Sequence, residues 1–205
     1  MLKSLSKVVK VMVLSDFFLM FGWGLVFPIL AIFVTENIEG GDATVVGIAF
    51  GIYWILKSVA QIPIGSYLDR NHGDKDDFYF LIGGTFLSSL TAFGLLFSSQ
   101  PWHIYGLQVV NALGAAMALP AWSGIFTRHI GRNQEAQSWA LDSSALGLGA
   151  GIAGVLGGFI AKLWGFTPLF LTVGALGILA TAVAFLIKND LTDKKEKTIL
   201  IPKPK

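Results

Sequence analysis

FTPLFLTVGALGILATAVAFLI, residues 166–187, runs for twenty-two residues without a charge. Roughly 20 apolar residues are what a helix needs to cross the hydrocarbon of a bilayer. The stretch does not alternate as a barrel strand would, and an open strand edge in lipid leaves backbone groups unpaired, so it reads as a transmembrane helix. Working outward, five more charge-poor runs have spanning length: 8–35, 43–68, 78–98, 102–126 and 138–161. Asp16, Lys57 and Asp142 are the charges set well inside these runs. The connectors carry turn residues, among them Glu39-Gly40-Gly41-Asp42, Asn71-His72-Gly73-Asp74 and Gly131-Arg132-Asn133, and are short enough to make neighbouring helices antiparallel.

Composition agrees. The 205 residues are 54% hydrophobic and 14% charged, with a mean hydropathy of +0.66, far from a water-soluble domain. Six spans occupy residues 1–190 and leave a basic tail, 191–205, so no separate catalytic domain fits. There is no Cys, hence no disulfide, thiolate nucleophile or Cys-bound metal. No G-x-x-x-x-G-K-S loop, H-E-x-x-H or G-x-S-x-G elbow occurs, and His72, His103 and His129 fall at span edges. Neither an enzyme nor a metal, cofactor or nucleic-acid partner is expected.

Of the fifteen basic residues, thirteen fall on one side: Lys3, Lys7, Lys10, Arg70, Lys75, Arg128, Arg132 and six lysines from Lys188 onward. Lys162 is alone on the other side, with Glu36, Glu39 and Asp42. Basic loops stay cytoplasmic, so both termini are expected in the cytoplasm of a plasma or inner membrane, with the tail near anionic lipid. A signal peptide at the N-terminus is a poor match, since its apolar core would be about twice the usual length and lacks a small-residue cleavage site.

Charges inside a span demand partners or water. Asp16 lies in line with Trp23 and Phe27, seven and eleven residues on, while Tyr53, Lys57 and Gln61 form one polar stripe at intervals of four. Asp16 and Lys57 differ in depth by roughly 6 Å, within the reach of a snorkelling lysine, so they can pair, either statically or around a water-filled cavity. Asp142, in the first turn of its helix, reads as a structural anion favoured by the helix dipole. Gln108 and Asn111 share a side with Ala115 and Trp122; they either line a cavity or join helices by hydrogen bonds. Gly147, Gly151, Gly154 and Gly158 form a stripe that admits another backbone closely, from the same unit or from a partner.

The string Gly65-Ser-Tyr-Leu-Asp69-Arg70-Asn-His-Gly73-Asp-Lys75 resembles motif A of the major facilitator superfamily, G-x-L-x-D-R-x-G-R-K, at the connector where that family carries it. It departs by one extra residue before Gly73 and by Asp74 in place of a base. Gly22-Trp-Gly24, Pro28, Gln61-Ile-Pro63 and Asn111-Ala-Leu-Gly114 follow the family's order. The antiporter motif C, G-x-x-x-G-P-x-x-G-G, resembles Gly149-Ala-Gly151-Ile-Ala-Gly154-Val-Leu-Gly157-Gly158, with Gly154 replacing its Pro, and Gln108 stands where motif B has an Arg.

The resemblance implies an all-α fold, one six-helix half built as a three-plus-three inverted repeat, within a secondary transporter of the drug/proton antiporter kind. It implies a small solute, proton coupling, and a second half supplied by a parallel homodimer or a separate chain. The alternative is an accessory subunit or fragment that does not transport alone. On this reading Asp16, Trp23, Phe27, Lys57, Gln61, Gln108 and Asn111 border the cavity, and Gly65, Asp69, Arg70 and Gly73 form a cytoplasmic gate. Gly147, Gly151, Gly154, Gly157 and Gly158 pack helices. Pro28 and Pro120, at similar depths in the first and fourth helices, are expected to break them.

Overall fold

The computed structural model of the chain describes residues 5–71 and 73–191. Its helices are α1 (Lys7–Val26), α2 (Leu30–Asn37), α3 (Ala43–Asn71), α4 (Asp74–Leu95), α5 (Pro101–His129), α6 (Glu135–Trp164) and α7 (Phe166–Ala184), with a 3-10 helix over Phe185–Asp190. Among the described residues six helices are long and apolar enough to span a membrane: α1, α3, α4, α5, α6 and α7 with its 3-10 extension. The all-α, six-span architecture is therefore the one the sequence implies. Apart from Leu191, the expected tail lies outside the described residues, as does His72 of the motif A connector.

Local chemistry sets the boundaries. Ser6 caps α1 by accepting from the Val9 amide at 3.2 Å. Pro101 starts α5, and His103 Nδ1 accepts from the Ser99 and Gln100 amides. Gly165, at φ +83°, turns the chain from α6 into α7, a conformation that an L side chain resists.

The break expected at Pro28 is present, and two other expectations need correction. The first span is two helices, because Pro28 offers no amide and the chain instead makes a tight turn in which the Ile29 N–H donates to Val26 O. Pro120 does not break α5; its ring rests against α3 at Gly65, where an added Cβ would lie 3.6 Å from Pro120 Cβ. The third span starts at Asp74 rather than 78, since Asp74, Asp76 and Asp77 occupy its first turn, where unpaired amides favour carboxylates.

Packing follows one pattern. α1 lies against α6 and α7, α4 against α5 and α7, and α3 against α5. Exchanging the first three spans for the last three turns α1–α6 into α5–α3 and α1–α7 into α5–α4, and leaves α4–α7 unchanged. The three-plus-three repeat is thus written in the helix pairings. Two apolar clusters form, one at the far end around Leu25, Phe33, Ile104 and Phe170, the other at the basic end around Met12, Phe78, Phe126 and Ile187.

Lipid is as apolar as a leucine side chain, so helices must associate by close approach. Gly84 and Gly114 bring α4 and α5 backbone to backbone: a Cβ on Gly114 would lie 2.7 Å from Gly84 O. Gly157 faces the Leu25 carbonyl, and a Cβ on Gly24 would lie 3.1 Å from Ala150 Cα, so both hold α1 on α6. The glycine stripe itself points elsewhere. A Cβ on Gly147, Gly151 or Gly158 would meet nothing within 4 Å, and on Gly154 only Pro28 and Gly24 at 3.8–4.0 Å. Packing inside the unit is therefore the task of Gly149 and Gly157, and the stripe faces out of it. α3 and α6 are the least buried spans, and on α3 Gly47 and Gly51 are equally open.

Candidate functional site

Between the two apolar clusters lies a cavity of about 60 Å³ lined by Leu19, Met20, Trp23 and Phe27 of the first span, Tyr53 of α3, Thr85 and Ser88 of α4, and Asn111, Ala115 and Ala118 of α5. The Gly84–Gly114 contact draws α4 onto α5 one turn away and so presents Ser88 to Asn111. The Ser88 hydroxyl donates to Asn111 Oδ1 at 2.5 Å, with both residues buried. Trp23 and Phe27 stack with ring centroids 5.9 Å apart, and Phe27 is 59% exposed beside the turn at Pro28. Gln108 joins Trp23 and Asn111 around a smaller adjoining space. The lining thus combines aromatic walls with a hydroxyl–amide pair.

Of the residues expected at a cavity, the structure brings together Trp23, Phe27, Gln108 and Asn111. Asn111 both lines the space and joins two helices, so its two readings are one. Asp16 and Lys57 do not pair. α1 packs on α6 and α7, and α3 on α5, and the charge that acts on part-buried Asp16 is Asp142 of α6. Lys57 Nζ instead lies 4.7 Å from the Trp54 ring centroid and 5.7 Å from that of Tyr53. Gln61 is part-buried on α3 one turn further and outside the lining. Trp122 leaves the cavity side and packs with Phe126 and Trp139 at 4.5 and 5.9 Å. Asp142 is not at a wet helix end: it is buried, and its Oδ1, Ser138 Oγ and Trp122 Nε1 are buried without a hydrogen bond.

At the basic end a second space of about 540 Å³ is lined by Gly65, Leu68, Asp69, Asp77, Pro120, Thr127 and Arg128, among others. Arg70 is exposed and Gly73 buried. The Arg128 guanidinium bridges Asp74, at Nε–Oδ1 2.6 Å, and Asp77 through Nη2, while His129 Nε2 lies 3.8 Å from Asp74. This cluster ties α5 to α4 beside Asp69 and Gly65. Sequence reasoning missed it, having counted Arg128 as a topology signal and Asp74 as a connector residue. It also missed Thr85 and Ser88, although Thr85-Phe-Leu-Ser88-Ser89 in an apolar span was a visible signal. Among the described residues no three His, Cys, Asp or Glu side chains converge as a metal would need.

The sequence profile described as Major Facilitator Superfamily matches residues 12–205. An uncharacterized MFS-type transporter of Methanocaldococcus jannaschii is 28% identical over 193 residues, 94% of this chain and 48% of that protein. The quinolone resistance protein NorA of Staphylococcus aureus is 24% identical over 187 residues, 91% of this chain and 46% of its own. A multi-drug resistance efflux pump PmrA homolog of Lactococcus lactis is 25% identical over 176 residues, 85% and 42%. The chain spans about half the length of the curated relatives it matches.

Proposed function

Because the chain belongs to the Major Facilitator Superfamily, we propose that it forms one six-helix half of a secondary transporter that moves a small solute by alternating access. The observation that carries this reading is the cavity, set between two apolar clusters in a unit whose helix pairings repeat three plus three. That is where transporters of internal symmetry bind their solute. The drug-resistance names of two relatives support an amphipathic solute and proton antiport, with Asp16 and Asp142, carboxylates inside the spans, as the groups on which coupling rests. The bare faces of α3 and α6 support a second six-helix unit in contact with them, and we take it to be a second, parallel copy. α3 of one copy then meets α6 of the other, twice, and Asp69 forms a gate at that seam. The basic termini lie in the cytoplasm.

The test is flux. Protein reconstituted into liposomes with an imposed pH gradient is expected to move 2-naphthalenesulfonate, an amphipathic aromatic anion, against its concentration gradient. Asn111→Leu, which removes the cavity's amide, is expected to lower the rate by roughly tenfold or more, the value of about one well-placed polar contact. Equal movement of the sulfonate in protein-free liposomes, or an unchanged rate in the variant, contradicts the reading.

A further inference from the structure

We propose that Lys57 is the anion-recognising group of the central cavity, and that the solute therefore carries an acidic group such as a carboxylate beside an apolar or aromatic body. The proposal deepens the transport reading and rests on the same cavity.

Lys57 is the middle residue of α3, fourteen positions, or about 21 Å, from either end. A charge at that depth is costly unless it is met by a counter-charge or water. Its contacts are the Tyr53 and Trp54 ring faces, and among the described residues it makes no ion pair. Rings stabilise an ammonium while leaving its three N–H donors unspent. Tyr53, one helical turn away, is itself a wall of the cavity, and the ammonium lies 5.7 Å from its ring centroid, next to that wall and outside the lining itself. Among the described residues no carboxylate is part of the cavity lining, and Asp16, one turn from Met20 of that lining, has Asp142 of α6 as the charge that acts on it. One part-buried cation beside a lining without carboxylates biases the space toward an anion. Trp23 and Phe27, stacked in the cavity wall, suit the apolar remainder of such a solute.

Equilibrium binding to the protein in lipid nanodiscs tests this with two matched probes, 2-naphthoate and 2-naphthylmethylammonium, read by quenching of tryptophan fluorescence. The wild type is expected to prefer naphthoate. Lys57→Gln is expected to weaken naphthoate by roughly ten- to hundredfold, the range for a hydrogen bond to a charged group, with the ammonium probe little changed. Lys57→Arg, which keeps the charge, is expected to retain most naphthoate affinity. Equal naphthoate affinity in the wild type and Lys57→Gln, preference for the ammonium probe, or no binding of naphthoate at millimolar concentration overturns the proposal. An unchanged probe affinity together with fewer chains per particle in Lys57→Gln also overturns it, and assigns Lys57 to a carboxylate of whatever covers α3. Because the readout is binding, charge-selective binding without flux removes the transport reading and leaves the recognition intact, whereas flux indifferent to Lys57 does the reverse.

Discussion

Leucine at Gly157 is expected to destroy the six-helix unit, and leucine at the next residue, Gly158, to leave it folded. The two positions are adjacent on α6 yet meet different surroundings. A Cβ on Gly157 would run into the Leu25 carbonyl, with Leu25 Cα also within 2.9 Å, so relief requires α1 and α6 to separate along their whole contact. Overpacking a core costs about 1–3 kcal/mol when side chains can shift. Here the obstacle is backbone, so the loss should exceed about 3 kcal/mol, a large part of the 5–15 kcal/mol that stabilises an ordinary domain. On Gly158 the added side chain meets nothing within 4 Å. Thermal unfolding followed by tryptophan fluorescence in mild detergent separates the two variants, and similar behaviour would show the α1–α6 contact to be misassigned.

Arg128→Met is expected to cost about 3–5 kcal/mol, because it strips the bridging cation from two buried carboxylates. Asp74 and Asp77 are each 3% exposed, and both accept from the same guanidinium. The loss belongs to the buried acids deprived of the guanidinium rather than to the missing bridge, so it is recoverable. Combining Arg128→Met with Asp74→Asn and Asp77→Asn should restore most of the stability, since replacing a whole buried ion cluster by neutral groups is often nearly free. Unfolding midpoints of the single and triple variants check this, and a triple variant no more stable than the single one would refute it.

How much of this was legible in the sequence depended on the kind of signal. Hydropathy gave six spans because bilayer thickness sets helix length directly. The ends of spans were less readable: the aspartates from Asp74 to Asp77 look like connector residues but favour a helix N-terminus. Pro28 and Pro120 are alike in sequence and differ in outcome, because a neighbouring helix at Gly65 supports one and a turn follows the other. The glycines show the same limit. Period alone groups Gly147, Gly151, Gly154 and Gly158, but which stripe faces inward is set by where α1 lies, and that is a property of the assembled bundle. The Asp16–Lys57 pair failed for a related reason, since consecutive spans are neighbours in sequence while α1 and α3 each pack chiefly on other helices. Trp23, Phe27, Gln108 and Asn111 were found because the cavity is built largely from one face of each of two helices, whereas Ser88 contributes from a helix whose polar residues had been passed over.

The central claim is that the uncovered faces of α3 and α6 are where two six-helix units meet around the cavity. It is tested most directly by the mass of the purified protein in lipid nanodiscs, counted as chains per particle after correction for bound lipid. The account predicts two chains for the wild type and one for Gly151→Leu, whose side chain would fill the open stripe without disturbing the unit. A single chain in the wild type, or two chains in both proteins, would contradict it.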